Sequence, residues 1–264
     1  MNALLCTVRY EALMAVRRKA VLGTVVPLTA LSLLLAVTSP VVTGHTDPTA
    51  RVGAVVVLVN TFCALGVGIA LADRLRRGME TRGLADVLEA TPTAALSRSL
   101  GASLGPLLTA LTPVAVPLLL YGAVVAAAAA SIVPLATTLT ALVTAVLPAA
   151  LLAASLGGLL GALMPVAAAR GVLVAAWLWA VQFPPALSPV PTPTGTVFSP
   201  LGGYPLVAWA HAPEVWARRE STGFARPEVT DATALLNLAL VVALALACYA
   251  LGHLATRLRR HGAP

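Results

Sequence analysis

One string in the chain has the pattern of a serine nucleophile, Gly101-Ala102-Ser103-Leu104-Gly105, which reads G-x-S-x-G. That chemistry needs the serine on a sharp strand-to-helix turn, with a base nearby to take its proton. Here the string opens a long apolar run rich in small residues, so close helix packing explains it more simply. Asp86 and Glu89 share a helix face at i, i+3, but basic residues surround them and they read as a solvated surface. Transferases of lipid phosphates hold Mg²⁺ between paired aspartates, and the sequence has no D-x-x-x-D pair. It also has no Walker A string. Cys6, Cys63 and Cys248 lie far apart without a CxxC pair, so neither a zinc site nor a disulfide framework is expected. The chain is therefore expected to carry no cofactor or metal of its own and to do no catalysis.

The elements that must position such residues follow from composition. Of the 264 residues 59% are hydrophobic and 10% charged, and the mean hydropathy is +0.91. Soluble domains need roughly 25% charged residues to wet their surface, whereas lipid tails solvate Leu, Val and Ala directly. The expected solvent is a bilayer. The net charge of +7 would raise nucleic acid as a partner for a soluble domain. Here the arginines form short clusters between apolar runs, where anionic lipid headgroups or a cytoplasmic partner meet them, and no nucleic acid is expected.

Apolar segments able to cross a hydrocarbon core of about 30 Å run roughly over 20–39, 52–72, 100–124, 133–163, 171–187 and 232–254. The fold class is thus all-α, a single polytopic domain over 1–264 with six transmembrane helices. Kinks are expected at Pro106, Pro113, Pro117 and Pro148. The pairs Gly101/Gly105 and Gly157/Gly161 have the spacing that lets helices approach closely.

Orientation follows from Lys and Arg, because positively charged loops resist translocation. One side collects Arg9, Arg17, Arg18, Lys19, Arg74, Arg76, Arg77, Arg82, Arg98, Arg170, Arg257, Arg259 and Arg260, while the other has Arg51, Arg218, Arg219 and Arg226. Both termini are then cytoplasmic, as an even number of spans requires, in a cell (cytoplasmic) membrane. Residues 2–19 are expected to form an amphipathic helix lying in the interface, with Leu4, Leu5, Val8, Ala12, Ala15 and Val16 on one arc and Arg9, Glu11, Arg17 and Arg18 outside it.

Two connections are longer than a passive turn requires. The cytoplasmic loop 73–99 carries Arg76, Arg77, Glu80, Leu84, Asp86 and Leu88, with Leu84 and Leu88 an i, i+4 apolar pair on a short helix that closes before Pro92. A charged helix with an apolar ridge, held between two spans, is suited to docking into another protein. The external loop 188–231 begins Pro-rich and then turns aromatic at Tyr204, Trp209 and Trp216, side chains that seek the membrane interface. Residues 201–217 are expected to dip back toward the membrane.

On these features, residues 2–19, the segment Arg-Arg-Gly-Met-Glu-Thr-Arg-Gly-Leu-Ala-Asp-Val-Leu-Glu-Ala-Thr-Pro at 76–92 and the stretch 201–217, the whole chain resembles the permease subunits of the ABC type-2 transporter family. The resemblance implies an interfacial N-terminal helix before six spans, a coupling helix between spans two and three, and re-entrant helices before span six. It implies that Arg76, Arg77, Glu80, Leu84, Asp86 and Leu88 meet a cytoplasmic ABC ATPase present in two copies, which supplies ATP and Mg. It also implies a second permease copy or homologue as partner. Gly83 interrupts the acidic-then-leucine stretch that the family loop often carries.

The spans lack Asp, Glu, Lys and Arg in their middles, and buried charge is the usual mark of a proton or ion path. Energy for transport would then come from the partner ATPase, and export of a hydrophobic, lipid-like or peptide cargo suits the lining. Two rival readings stand beside this one. The first is an intramembrane enzyme such as a rhomboid-like serine protease, in which Ser103 would have to meet His253 at the cytoplasmic end although rhomboid sites open outward. The second is a membrane scaffold or sensor without transport.

Overall fold

In the computed structural model the described residues are 3–17, 19–76, 95–183, 192–212 and 225–261. They form an all-α chain with no strand. Helix α1 spans Ala3–Val16, α2 Lys19–Thr38, α3 Pro40–Thr43 and α4 Pro48–Leu71. Helix α5 spans Ala95–Ala128, α6 Val133–Ala141, α7 Leu147–Leu163, α8 Val166–Val181, α9 Gly203–Ala210 and α10 Asp231–His261. A π-helical turn, Leu142–Val146, joins α6 to α7.

Among the described residues five stretches are helices long and apolar enough to cross a membrane: Val21–Thr38, Pro48–Arg76, Leu100–Ala128, Val133–Leu163 and Asp231–Arg259. The remaining apolar helix, α8, differs from the expected 171–187. It starts directly after Pro165, the N-cap residue, whose extended backbone precedes the first helical turn, and ends at Val181. At 1.5 Å per residue its 16 residues reach about 24 Å.

The bundle is organised around α4. Of its apolar window 83% is buried, against 28% for α2 and for α10. Close approach explains this. A Cβ at Gly68 would lie 2.7 Å from the Ala153 carbonyl, and one at Gly157 would lie 2.6 Å from the Gly68 carbonyl, so α4 and α7 meet backbone to backbone. Polar side chains add directed contacts to that apolar packing. Trp177 Nε1 on α8 donates to the Thr61 carbonyl at 2.9 Å, and Thr29 on α2 lies 3.4 Å from the Cys63 sulfur.

The start of α4 is set locally. Asp47 is the N-cap and accepts from the Ala50 amide at 2.9 Å and from the Thr49 hydroxyl, while Pro48 follows at the first helical position. At the other extreme of the bundle, Arg170 Nε donates to the Ile69 carbonyl at 3.2 Å, and Arg259 reaches the Leu163 carbonyl at 2.6 Å. These contacts gather Arg74, Arg76, Arg170, Arg257 and Arg259 at one end. Arg51 and Arg226 belong to the opposite end, with the start of α4 and the segment before α10.

The prolines act unequally. Helix α5 continues through Pro106, Pro113 and Pro117, whereas the π turn ends at Val146, just before Leu147 and Pro148. A proline has no N–H and its ring crowds the carbonyl four residues earlier, here that of Thr144. A wider turn relieves that crowding.

Candidate functional site

Two constructions stand at the two ends of α4. At the Arg-rich end, α1 lies along the first half of α5. A Cβ at Gly105 would fall 2.6 Å from the Val8 carbonyl and 2.8 Å from the Ala12 amide, and one at Gly101 would meet the Thr7 side chain. One turn beyond Gly105, Thr109 completes the seam by donating to the Ala12 carbonyl at 3.3 Å. The seam accounts for the glycine spacing in Gly101-x-x-x-Gly105. The face of α1 turned to the bundle is that of Thr7, Val8, Glu11, Ala12 and Ala15, while Leu5 and Val16 are more than half exposed. The side of α1 that docks on α5 thus overlaps only part of the apolar arc expected from its periodicity and includes Glu11, which lies outside that arc. Glycines on α5, invisible from the periodicity of α1 alone, decide which side docks.

Glu11 faces Arg74, which continues from the C-terminal end of α4, and the two form an ion pair. Arg74 Nε also donates to the Ala102 carbonyl at 3.1 Å. Pro106 stands four residues after Ala102, so no helical N–H serves that carbonyl. The guanidinium therefore ties the end of α4 to α5 and α1 together. In the sequence Arg74 counts only toward the charge asymmetry and is not a candidate site residue. The available signal was the proline-freed carbonyl, and only the fold shows which cation takes it.

Beside Arg74 lies a cavity of about 180 Å³ between α4, α5, α7 and α10. Ser103 donates to the Tyr249 hydroxyl at 3.3 Å, and the Tyr249 ring meets that of His253 edge-on with centroids 4.5 Å apart. Ser103 sits within helix α5, so the G-x-S-x-G string does not form the strand-to-helix turn that exposes a serine nucleophile. Among the described residues no group of three His, Cys, Asp or Glu side chains could hold a metal ion.

At the opposite end, residues 192–212 pack into the bundle. Leu201, Tyr204, Leu206 and Ala210 are buried. Asn60 on α4 donates to the Leu201 carbonyl at 2.9 Å, and Asn237 on α10 donates to the Val197 and Ser199 carbonyls at 2.6 and 3.1 Å. Gly202, with φ +72°, lies against the π turn, where a Cβ would come 3.1 Å from that of Ala145. Tyr204 donates to the Pro227 carbonyl at 3.1 Å, and Trp209 Nε1 to Asp231 at 2.8 Å. Both aromatics thus fasten the segment to the approach of α10. The two asparagines were missed in the sequence, although a lone Asn in an apolar span is itself a signal for an interhelical hydrogen bond.

Of the residues expected to meet an ATPase, Arg76 is described and half-buried just past α4. Arg77, Glu80, Leu84, Asp86 and Leu88 lie outside the described residues, as does Trp216. Long apolar helices around a buried central one define the class, a helical membrane protein. No family model, curated protein or solved structure matches the chain.

Proposed function

We propose that the chain is the six-span permease subunit of an ATP-driven exporter of the ABC type-2 kind, with both termini cytoplasmic. It works with a second permease copy or homologue and with two copies of a separate ATPase that hydrolyses ATP with Mg. The observation that supports this reading most is the tie at Arg74. Helix α4 leads directly into the segment 77–94, and its last turn is held to α1 by Glu11 and to α5 by the Ala102 carbonyl. A push on that segment would therefore reach three helices at once. ATP binding would draw the ATPases together and move the segment, and the tie would pass that motion into the spans. Residues 192–212 would form the outer, re-entrant cap. The cargo suited to this apolar lining is hydrophobic, lipid-like or a peptide.

The test is recovery of an ATPase with the purified chain and its loss on substitution. Leu84→Asp with Leu88→Asp should abolish co-purification and cargo-stimulated hydrolysis while leaving the chain in the membrane. Arg98→Ala serves as the control for general loop damage. A doubly substituted chain that still binds the ATPase and transports normally would put the coupling element elsewhere. Isolation with no ATPase under any condition would favour a scaffold or an intramembrane enzyme.

A further inference from the structure

We propose that the cleft between α5 and α10 at the Arg-rich end binds one anionic membrane lipid. Arg74 takes the lipid phosphate, and the cavity behind Ser103 and Tyr249 takes the start of an acyl chain. This rests on the chain lying in a bilayer, and not on its pairing with an ATPase.

The cavity is large enough and has the right division of polarity. Its volume is about 180 Å³, and Leu71, Leu75, Leu104, Leu107, Leu151 and Leu246 are among its lining side chains. A dry apolar cavity of about 150 Å³ accepts a benzene-sized molecule, so several methylene groups fit. The polar lining is Arg74, Ser103, Ser155 and Tyr249. Such a division matches a molecule with an anionic head and an apolar tail.

Access is lateral. Helices α5 and α10 each pack chiefly on other helices. The hydrogen bond from Ser103 to Tyr249 bridges the two. Leu246, on the α10 wall, is 63% exposed, so the opening faces the surroundings of the bundle, where a bilayer presents its lipids.

Charge decides the head group. Among the described residues the ion pair with Arg74 is made by Glu11, a carboxylate on a separate peripheral helix. Guanidinium has five N–H donors; one is engaged by the Ala102 carbonyl and another by Glu11. A phosphate would replace the Glu11 contact, and Arg is well suited to it because its planar fork binds phosphate oxygens in pairs. Arg76, Arg170, Arg257 and Arg259 at the same end raise the local concentration of anionic lipid. Glu11 is then the resident counter-ion that the lipid displaces.

The experiment uses the purified full-length protein in a non-ionic detergent and a phosphatidic acid with a photoreactive diazirine near the top of one acyl chain. Labelled peptides should map to residues 100–107, 151–158 and 242–249. Arg74→Ala should reduce that labelling about tenfold or more, the loss of a charge-assisted contact. Glu11→Gln should increase it by removing the competing carboxylate. Ala154→Leu, which fills the cavity floor and spares the ion pair, should reduce it as well. Equal labelling by phosphatidylcholine with the same diazirine would overturn the proposal, because a greasy groove alone would suffice. So would competition by inorganic phosphate at matched concentration, which would mark a simple anion site. If Arg74→Ala fails to fold, Ala154→Leu decides alone, and wild-type labelling there refutes the assignment.

Discussion

Asn60 and Leu201 are joined by a hydrogen bond of 2.9 Å across 141 residues of sequence. The side-chain amide of Asn60 also lies 3.5 Å from the Ala145 carbonyl in the π turn. One polar side chain on the most buried helix therefore holds two places where the backbone departs from regular helix. Irregular backbone in an apolar bundle persists only where its polar groups find partners within the protein.

Removing either clamp should loosen the segment around Leu201. Asn60→Ala leaves the Leu201 carbonyl without that donor, and Asn237→Ala does the same for Val197 and Ser199. Each substitution should cost about 1–3 kcal/mol of stability, the penalty for a buried unsatisfied polar group. Amide exchange across residues 197–206 should accelerate in both variants, more than in α4 or α7. Unchanged exchange there would mean that apolar burial of Leu201 and Leu206 suffices.

The α1 seam should fail when it is given bulk. Gly105→Leu forces a side chain into the space of the Val8 carbonyl and the Ala12 amide. Flexible side chains can yield to such a clash, but backbone atoms move only with the whole helix. Trypsin cleavage after Arg9 and Arg17 should become several-fold faster than in the parent chain, whereas Gly171→Ala, with open space at its Cβ, should leave it unchanged.

Orientation is open to labelling in intact cells. On the proposed orientation, the end that carries Arg74, Arg76, Arg170, Arg257 and Arg259 is inside and the end with Arg51 and Arg226 outside, because positively charged loops resist translocation. A membrane-impermeant thiol reagent should reach a cysteine introduced at Ser221 but not one introduced at Arg82. The reverse pattern would invert the whole arrangement.

The cap of α4 should titrate. The Thr49 hydroxyl, followed by the Ala50 amide, holds the Asp47 carboxyl below its ordinary value. A carboxyl depressed in the folded state stabilises above its unfolded pKa, and the contribution is lost as pH falls through the folded value. Asp47→Ala should cost about 0.5–2 kcal/mol at neutral pH, the usual range for losing an N-cap. The difference in thermal unfolding between parent and variant should shrink as pH drops below about 4. A difference constant from pH 7 to pH 3 would show that charge on the carboxyl does not matter.

The sequence by itself determined the solvent and most of the helices. Leu, Val and Ala runs of sufficient length must be helical in lipid, since each backbone amide needs an internal partner there. The segments around 20–39, 52–72, 100–124, 133–163 and 232–254 accordingly reappear as α2, α4, α5, the α6–α7 pair and α10, longer at some ends because polar end residues still extend a helix. The identity of the central helix was not legible. The apolar windows of α4 and α10 have the same mean hydropathy, 2.4, and α4 is buried because Gly68, Gly157 and Gly161 admit a neighbouring backbone, a property of two surfaces together. The same holds for Arg74, Glu11, Asn60 and Asn237. Asn60 and Asn237 are lone polar residues in apolar spans and Arg74 and Glu11 lie among other charged or polar residues, but each has its partner on an element remote in sequence. Only the tertiary packing decided which carbonyl or charge it would find, because hydrogen bonds and ion pairs act over a few ångströms and leave no period in the chain.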